Sequence, residues 1–275
     1  MSDKRVSEHY LHGDLLKEIW NSIKTLGKTT ETITIEDLAP VDEFHIGGRA
    51  ATEHFMSQLN FSSADYLLDI GCGLGGAARF VASTYGSRVA GVDLSSEYVQ
   101  TGTALNKWVN LDEHIYLQEA SALSLPFSND VFNGSYMMHV GMNIENKAQL
   151  FTEVFRVLKS GAVFGIYDIM QIGNNELNFP VPWASEKTMS FLATPEHYKH
   201  ALHDTSFRVA HENNRHEFAM GFFKAQREKT EALGGPPPLG LHTLMQNTTS
   251  TKLNNMIQAV SATYIAPVEI VAYKP

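Results

Sequence analysis

The sequence holds a single cysteine, Cys72, in 275 residues. No internal disulfide can form and no cysteine-based metal centre can be built, so the expected setting is a reducing one. Basic residues are scarce too: 21 lysines and arginines stand against 30 acids, a formal net charge of -9. Proteins that hold nucleic acid normally show a basic face, so no nucleic-acid partner is expected, although a local basic pocket for an acidic substrate stays open. No apolar run approaches the ~18 residues needed to span a bilayer. The start, Met1-Ser-Asp-Lys-Arg-Val, leads into no apolar core of the kind a secretory signal needs. The expectation is a cytoplasmic protein without a membrane partner or a metal.

What is present is apolar matter in quantity. Hydrophobic residues make up 43% of the chain, enough for one large domain or for one domain with a cap. Residues 1–58 read mainly as helix, with Leu11, Leu15, Leu16, Ile19, Ile23 and Leu26 at helical spacing before Gly27. Residues 29–40 read as a polar connection, and a second helix is expected from Gly47-Gly48 through Phe55 and Leu59. From Tyr66 onward, short apolar runs at 66–70, 88–92, 114–118, 131–136 and 162–168 alternate with helical patterns at 77–85, 97–110 and 147–158. Alternation at that interval implies right-handed strand–helix–strand units and a parallel sheet.

The tail breaks the rhythm. A helix at 195–204 and a strand at 207–212 precede an insert over 215–266, and a last strand follows at 267–273. Long excursions between strands commonly build active-site lids. The expected organisation is therefore an N-terminal helical cap over 1–58 and a core domain over 59–275, with its helical insert also closing over the site.

The segment Leu67-Leu-Asp-Ile-Gly-Cys-Gly-Leu-Gly-Gly-Ala-Ala-Arg79 is a buried strand feeding a glycine-rich turn that opens a helix. Glycines serve where the backbone turns left-handed or touches a ligand, and the helix start offers free N–H groups. Gly71, Gly73 and Gly76 also satisfy the dinucleotide fingerprint, so the glycines alone leave two cofactors open. Asp93, at the end of the second strand, could take ribose hydroxyls from either. Asp69 weighs between them, because a carboxylate two residues before the turn repels a pyrophosphate and attracts an ammonium.

On these residues the chain resembles the class I S-adenosylmethionine (SAM)-dependent methyltransferases. Asp69-x-Gly71-x-Gly73-x-Gly75 is similar to that family's first motif, Ala122-Leu-Ser-Leu-Pro-Phe127 to its adenine segment, and Phe155-Arg-Val-Leu-Lys-Ser-Gly161 to the stretch before the fifth strand. The resemblance implies a Rossmann-like α/β fold, a seven-stranded and mostly parallel sheet ending in an antiparallel hairpin, with SAM as cofactor. It implies cofactor contacts at Asp69, Gly71, Cys72, Gly73, Gly75, Asp93, Leu94, Ser121, Ala122 and His139. Ser121 departs from the pattern, since many relatives carry an adenine-recognising aspartate there; Asn133 likewise replaces an aspartate after Phe132.

Two further stretches, Asp42-Glu-Phe-His-Ile-Gly-Gly-Arg-Ala-Ala-Thr52 and Met138-His-Val-Gly-Met-Asn-Ile144, resemble those of the sarcosine/dimethylglycine N-methyltransferase-like small-molecule enzymes. The implied reaction is in-line methyl transfer to a small molecule, first an amine or amino-acid-like acceptor. A C- or O-methyltransferase on an aromatic or quinone-like metabolite and a non-methylating SAM-binding protein are the alternatives. Candidate catalytic residues are His139 as base or acceptor-orienting group, Asn143, Arg49 as carboxylate ligand, His45 and Tyr10. Trp183 and His242 are weaker candidates in the cap. His197, His200 and His203 recur every third residue, but the first and third diverge by about 120° on a helix, so they read as surface histidines. A homodimer through the Pro-rich stretch at 234–240 is as consistent with the sequence as a lid.

Overall fold

The computed structural model describes residues 2–275, and its centre is the sheet that the alternation predicts. The strands are β1 (Tyr66–Ile70), β2 (Arg88–Asp93), β3 (Ile115–Glu119), β4 (Phe132–Met138), β5 (Leu158–Gln171), β6 (Arg208–Asn214) and β7 (Ile265–Tyr273). They lie in the order β3-β2-β1-β4-β5-β7-β6. The first five run parallel, and β7 slots antiparallel between β5 and β6. The chain moves outward from β1 through β2 to β3 and then returns to β4 on the other side. The order reverses between β1 and β4, and such a reversal opens a crevice at the carboxyl ends of the strands.

The N-terminal helices are α1 (Ser2–His9), α2 (Leu15–Thr25), α3 (Ile35–Asp42) and α4 (Gly48–Met56). Helices α5 (Gly76–Tyr85), α6 (Ser96–Trp108), α7 (Lys147–Val157) and α8 (Pro195–Asp204) accompany the sheet. The late insert forms α9 (His216–Ala232), α10 (Leu241–Met245) and α11 (Thr249–Ser261). Local chemistry sets several starts: the Ser95 hydroxyl accepts from the Tyr98 N–H, and Asn146 and Thr194 cap α7 and α8 the same way. Leu68, Ile70, Val92, Met137, Phe164 and Ile166 form the sheet side of one buried cluster, with Leu150, Phe151 and Val154 of α7 packed against them. Among the described residues no helix is long and apolar enough to cross a membrane.

Three expectations are corrected. Residues 29–40 are not a plain connection, because Thr34 and Asp37 build a capping box: Thr34 Oγ1 accepts from the Asp37 N–H and Asp37 Oδ2 from the Thr34 N–H. The helix this starts buries Leu38 and Val41. Leu11 does not join the helical stripe; it is 67% exposed. Its segment is held extended by Glu97, whose carboxylate accepts from the backbone N–H groups of His12, Gly13 and Leu15. Lastly, β5 runs from Leu158 to Gln171, beyond 162–168 at both ends, because Phe132 of β4 pairs with Leu158 at its start and β7 pairs with it through Gln171 at its end. His197, His200 and His203 are exposed on α8, as their spacing suggests.

Candidate functional site

The crevice holds a cavity of about 1860 Å³, walled by the ends of β1, β2 and β4, by α1, by the segment 39–50 and by the late insert. Its floor is the glycine turn. Gly71 has φ +67°, in the left-handed region. A Cβ built there would fall 2.4 Å from Val140 Cγ2, so the turn and the loop after β4 touch where only hydrogen fits. Gly71→Ala is therefore expected to cost about 1–3 kcal/mol through backbone strain and overpacking. The melting temperature should fall, and Val140→Ala should restore part of the loss by removing both clashing methyls.

Asp69 is 3% exposed, and among the described residues no aligned donor meets its Oδ2. Tyr136 lies opposite it in the β1–β4 register. Burial pushes the Asp69 carboxyl up to about 8, against the Tyr136 hydroxyl that reaches it and the Arg79 charge, with the Asp93 and Glu43 charges adding to the rise. A buried carboxylate without a counter-ion is costly, and a cation entering this cavity would relieve it. Asp93 is tied to the turn: Oδ2 accepts from the Gly73 N–H at 2.9 Å and Oδ1 from the Ser95 N–H at 2.8 Å. Burial raises the Asp93 carboxyl in spite of those N–H groups.

The second wall is the segment before α4. Glu43 Oε2 accepts from Thr52 Oγ1 at 2.6 Å and from His45 Nε2 at 2.9 Å. Burial works to raise the Glu43 carboxyl, but His45, Arg49 and Thr52 outweigh it and hold it below the usual carboxylate range. With its Nε2 turned to Glu43, His45 presents its other ring nitrogen, Nδ1, buried and without an aligned partner among the described residues. Arg49 lies 3.1 Å from Glu43 Oε1 and over the Phe80 ring at 5.0 Å. None of its three guanidinium nitrogens has an aligned acceptor. Guanidinium N–H groups left without acceptors beside a cavity suit a carboxylate ligand.

His139 directly follows β4 with φ +58°, and its N–H donates to the Tyr167 carbonyl at 2.7 Å. Burial holds the imidazole well below its usual pKa, and the His45 charge adds to the effect, so it is neutral. Its Nε2 is buried without a partner. Tyr167 and the two histidines form a triangle of rings, with centroids 5.3 Å apart for Tyr167 and His139, 6.0 Å for Tyr167 and His45, and 5.8 Å for His45 and His139. Its hydroxyl donates to the Ile46 carbonyl at 2.8 Å, which fixes the His45 segment to the sheet. Asp168 holds the loop after β4 by accepting from the Gly141 N–H and the Tyr198 hydroxyl.

Of the residues expected from sequence, Tyr10, His45, Arg49, His139 and Asn143 line this cavity together with Asp69, Gly71, Cys72, Gly73, Asp93, Leu94, Ser121 and Ala122. Trp183 and His242 line it as well. Gly75 is the exception: it caps α5 behind the turn, where an added Cβ would meet Leu117 and Arg79. Tyr10 is half-buried, and its hydroxyl donates to Asn143 Oδ1 at 3.5 Å, a long bond. The Ser121 hydroxyl donates to Asp3 Oδ2 at 2.7 Å, across from α1. Sequence reasoning passed over Glu43, Thr52, Tyr167, Asp168 and Asp3. Only Glu43 carried a signal, as an acid two residues before a candidate histidine.

The comparisons with known proteins agree with this fold. Residues 68–166 match the methyltransferase domain family. A methyltransferase of Penicillium fellutanum, phqN, is 27% identical over 130 residues, 47% of this chain and 40% of that protein. The sarcosine/dimethylglycine N-methyltransferase of Halorhodospira halochloris is 27% identical over 164 residues, 59% of each chain. This chain thus spans about half the length of these curated relatives. Among solved structures, the geranyl diphosphate C-methyltransferase of Streptomyces coelicolor A3(2), in complex with Mg²⁺, geranyl diphosphate and S-adenosyl-L-homocysteine, superposes with a TM-score of 0.71 at 18% identity. That superposition covers 100% of this chain and 98% of the other. The expected methyltransferase fold is borne out.

Proposed function

We propose that this protein, whose residues 68–166 match the methyltransferase domain family, binds SAM and methylates a small molecule with an extended apolar body. The observation that carries the reading is the Oδ2 of buried Asp69 beside the glycine turn, which no aligned donor meets among the described residues. A pyrophosphate is repelled there and a methionyl ammonium is held. Arg49 receives the methionyl carboxylate, Asp93 the ribose hydroxyls, and the Ala122 N–H the adenine ring, with Cys72 and Leu94 packing alongside. Bound SAM supplies an electrophilic methyl on a positively charged sulfur.

The chain's own part is to orient the acceptor and take its proton. Holding nucleophile and methyl in line is worth about 7–11 kcal/mol. His45, with its carboxylate partner Glu43, accepts the proton at Nδ1 from a secondary amine or hydroxyl. Neutral His139 and Asn143 orient that group. The acceptor's class follows from the cap, where Trp183, Met220, Phe222, Phe223, Leu253 and Met256 face the cavity. At about 1860 Å³ the cavity exceeds the ~300–1,000 Å³ of an ordinary small-molecule site, which leaves room for a second molecule of the cofactor's size. A free amino acid such as sarcosine would leave those apolar walls uncovered. This favours an amine or hydroxyl on an apolar skeleton over the free amino-acid class.

Thermal shift with SAM, S-adenosylhomocysteine and NAD tests the cofactor, since a ligand selective for the native state raises the melting temperature. Both adenosyl ligands should stabilise the protein and NAD should not; stabilisation by NAD alone overturns the reading. Methyl uptake from labelled SAM should then favour amphiphilic secondary amines and phenols over sarcosine and dimethylglycine. Preference for the latter pair returns the acceptor to the free amino-acid class.

A further inference from the structure

Arg79 lies in the first turn of α5, just past the glycine turn, and its side chain is wholly buried. Its guanidinium bridges to two other helices. Nη2 donates to Asp42 Oδ2 at 2.5 Å, at the end of α3, and Nη1 donates to Asn106 Oδ1 at 2.7 Å, on α6. Nη1 also reaches the Gly102 carbonyl at 3.5 Å. Neither Arg79 nor Asn106 is among the residues that line the cavity. Burying such an ion pair adds little net stability, so its use lies in what it holds in place. Asp42 directly precedes Glu43.

The backbone of Asp42 is pressed on α5 as well. A Cβ built on Gly76 would fall 2.4 Å from the Asp42 carbonyl oxygen, so the end of α3 lies flush against the start of α5. Main chain and side chain together set both the place and the direction of residue 42. Farther along, the Ile46 carbonyl is held by the Tyr167 hydroxyl. Between these two anchors the His45 N–H closes onto the Glu43 carbonyl at 2.8 Å. We infer that Arg79 is a positioning residue for proton transfer: by gripping Asp42 it fixes the Glu43–His45 pair against the helix that opens from the glycine turn, so that proton acceptor and bound cofactor keep one geometry. The inference rests on the role proposed above for Glu43 and His45. A planar fork suits the task, since it meets partners on separate helices at fixed angles, whereas a lysine ammonium is a point charge on a flexible stem.

Arg79→Lys separates geometry from charge. It keeps the positive charge that acts on Asp42 and on Asp69, but it cannot hold Asp42 and Asn106 together. Asn106→Ala loosens the fork from the other side without leaving a charge unpaired, and it carries the test if Arg79→Lys does not fold. Both variants should be compared with the wild type and Glu43→Gln. Calorimetry gives S-adenosylhomocysteine affinity, and labelled SAM gives turnover with the best acceptor from the amine and phenol screen. Cofactor affinity and KM for SAM should hold, while kcat of Arg79→Lys falls by about 10- to 100-fold, the scale of a displaced reacting group; Asn106→Ala should lower kcat in the same way. The decisive readout is non-additivity. A residue that acts through the pair has nothing left to disturb once Glu43 is replaced, so Arg79→Lys with Glu43→Gln should turn over no more slowly than Glu43→Gln alone. A merely structural arginine would instead lower the melting temperature and leave kcat of the folded protein unchanged, or its loss would multiply that of Glu43→Gln; either result overturns the assignment. Full turnover in Glu43→Gln itself defeats the proton-transfer role of that pair and this inference with it. A loss in Glu43→Gln that neither Arg79→Lys nor Asn106→Ala shares leaves the pair's role standing and overturns this inference alone.

Discussion

Replacing Asp69 by asparagine is expected to weaken SAM binding by at least about 100-fold, the cost of leaving a buried cation without its counter-charge. The same change should make the ligand-free protein more heat-stable above pH 8. Both follow from one carboxyl. In the folded, ligand-free state burial pushes it up to about 8, whereas an unfolded aspartate ionises near ~3.9. Between those values the native state keeps a proton that the unfolded state has lost. Stability therefore falls as pH rises from about 4 to about 8, and the full penalty remains above that. Asparagine never ionises, so Asp69→Asn escapes the penalty and its melting temperature at pH 8.5 should exceed the wild type's by a few degrees, on the order expected for ~1 kcal/mol.

Ligand binding runs the other way. An ammonium needs the ionised carboxylate, so at pH 7 binding must release a proton, and affinity should climb between about pH 6 and pH 8. Calorimetry in two buffers of different ionisation heat measures that release directly, and Asp69→Asn should abolish it. A variant that binds SAM as well as the wild type, with no change in proton release, would remove Asp69 from the site and with it the strongest support for the cofactor.

The distribution of what could be read in advance follows from how far each signal reaches along the chain. Strands β1 to β4 and the glycine turn are local: an apolar run, a left-handed glycine, a capped helix. The acids Asp69 and Asp93 sit at strand ends, where topology alone directs them to the crevice. Asp3 could not be found this way, because its relation to Ser121 spans 118 positions and depends on how α1 docks. Tyr167 reads as one more core aromatic in a strand; only the fold reveals its hydroxyl on the Ile46 carbonyl. Helix α3 was missed for a different reason. Its capping box uses aspartate as the second member, and Pro40 inside the helix argues against helix from sequence. Gly75 belongs to the same regular motif as Gly71 and Gly73, and its left-handed backbone caps the start of α5, a role that only the fold reveals.

Glu43→Gln is expected to lower turnover by about 100-fold or more, the usual scale for a disabled acid–base group, with cofactor affinity little changed or slightly improved. Glutamine keeps the shape and can still accept from Thr52, so the segment before α4 should stay in place. What disappears is the charge that stabilises His45 as it takes a proton at Nδ1. Arg49 loses its ion-pair partner at the same time and becomes more available to a methionyl carboxylate. A structural defect would instead raise KM for both substrates and lower the melting temperature. The dependence on acceptor acidity separates the two explanations further. An acceptor that gives up its proton readily needs the dyad less, so the loss should shrink along a series of phenols or amines of falling pKa. Supplying the acceptor already deprotonated should recover most of the rate. Full turnover in Glu43→Gln, or a loss indifferent to acceptor pKa, would remove the Glu43–His45 pair from proton transfer and leave His139 as the group to test next.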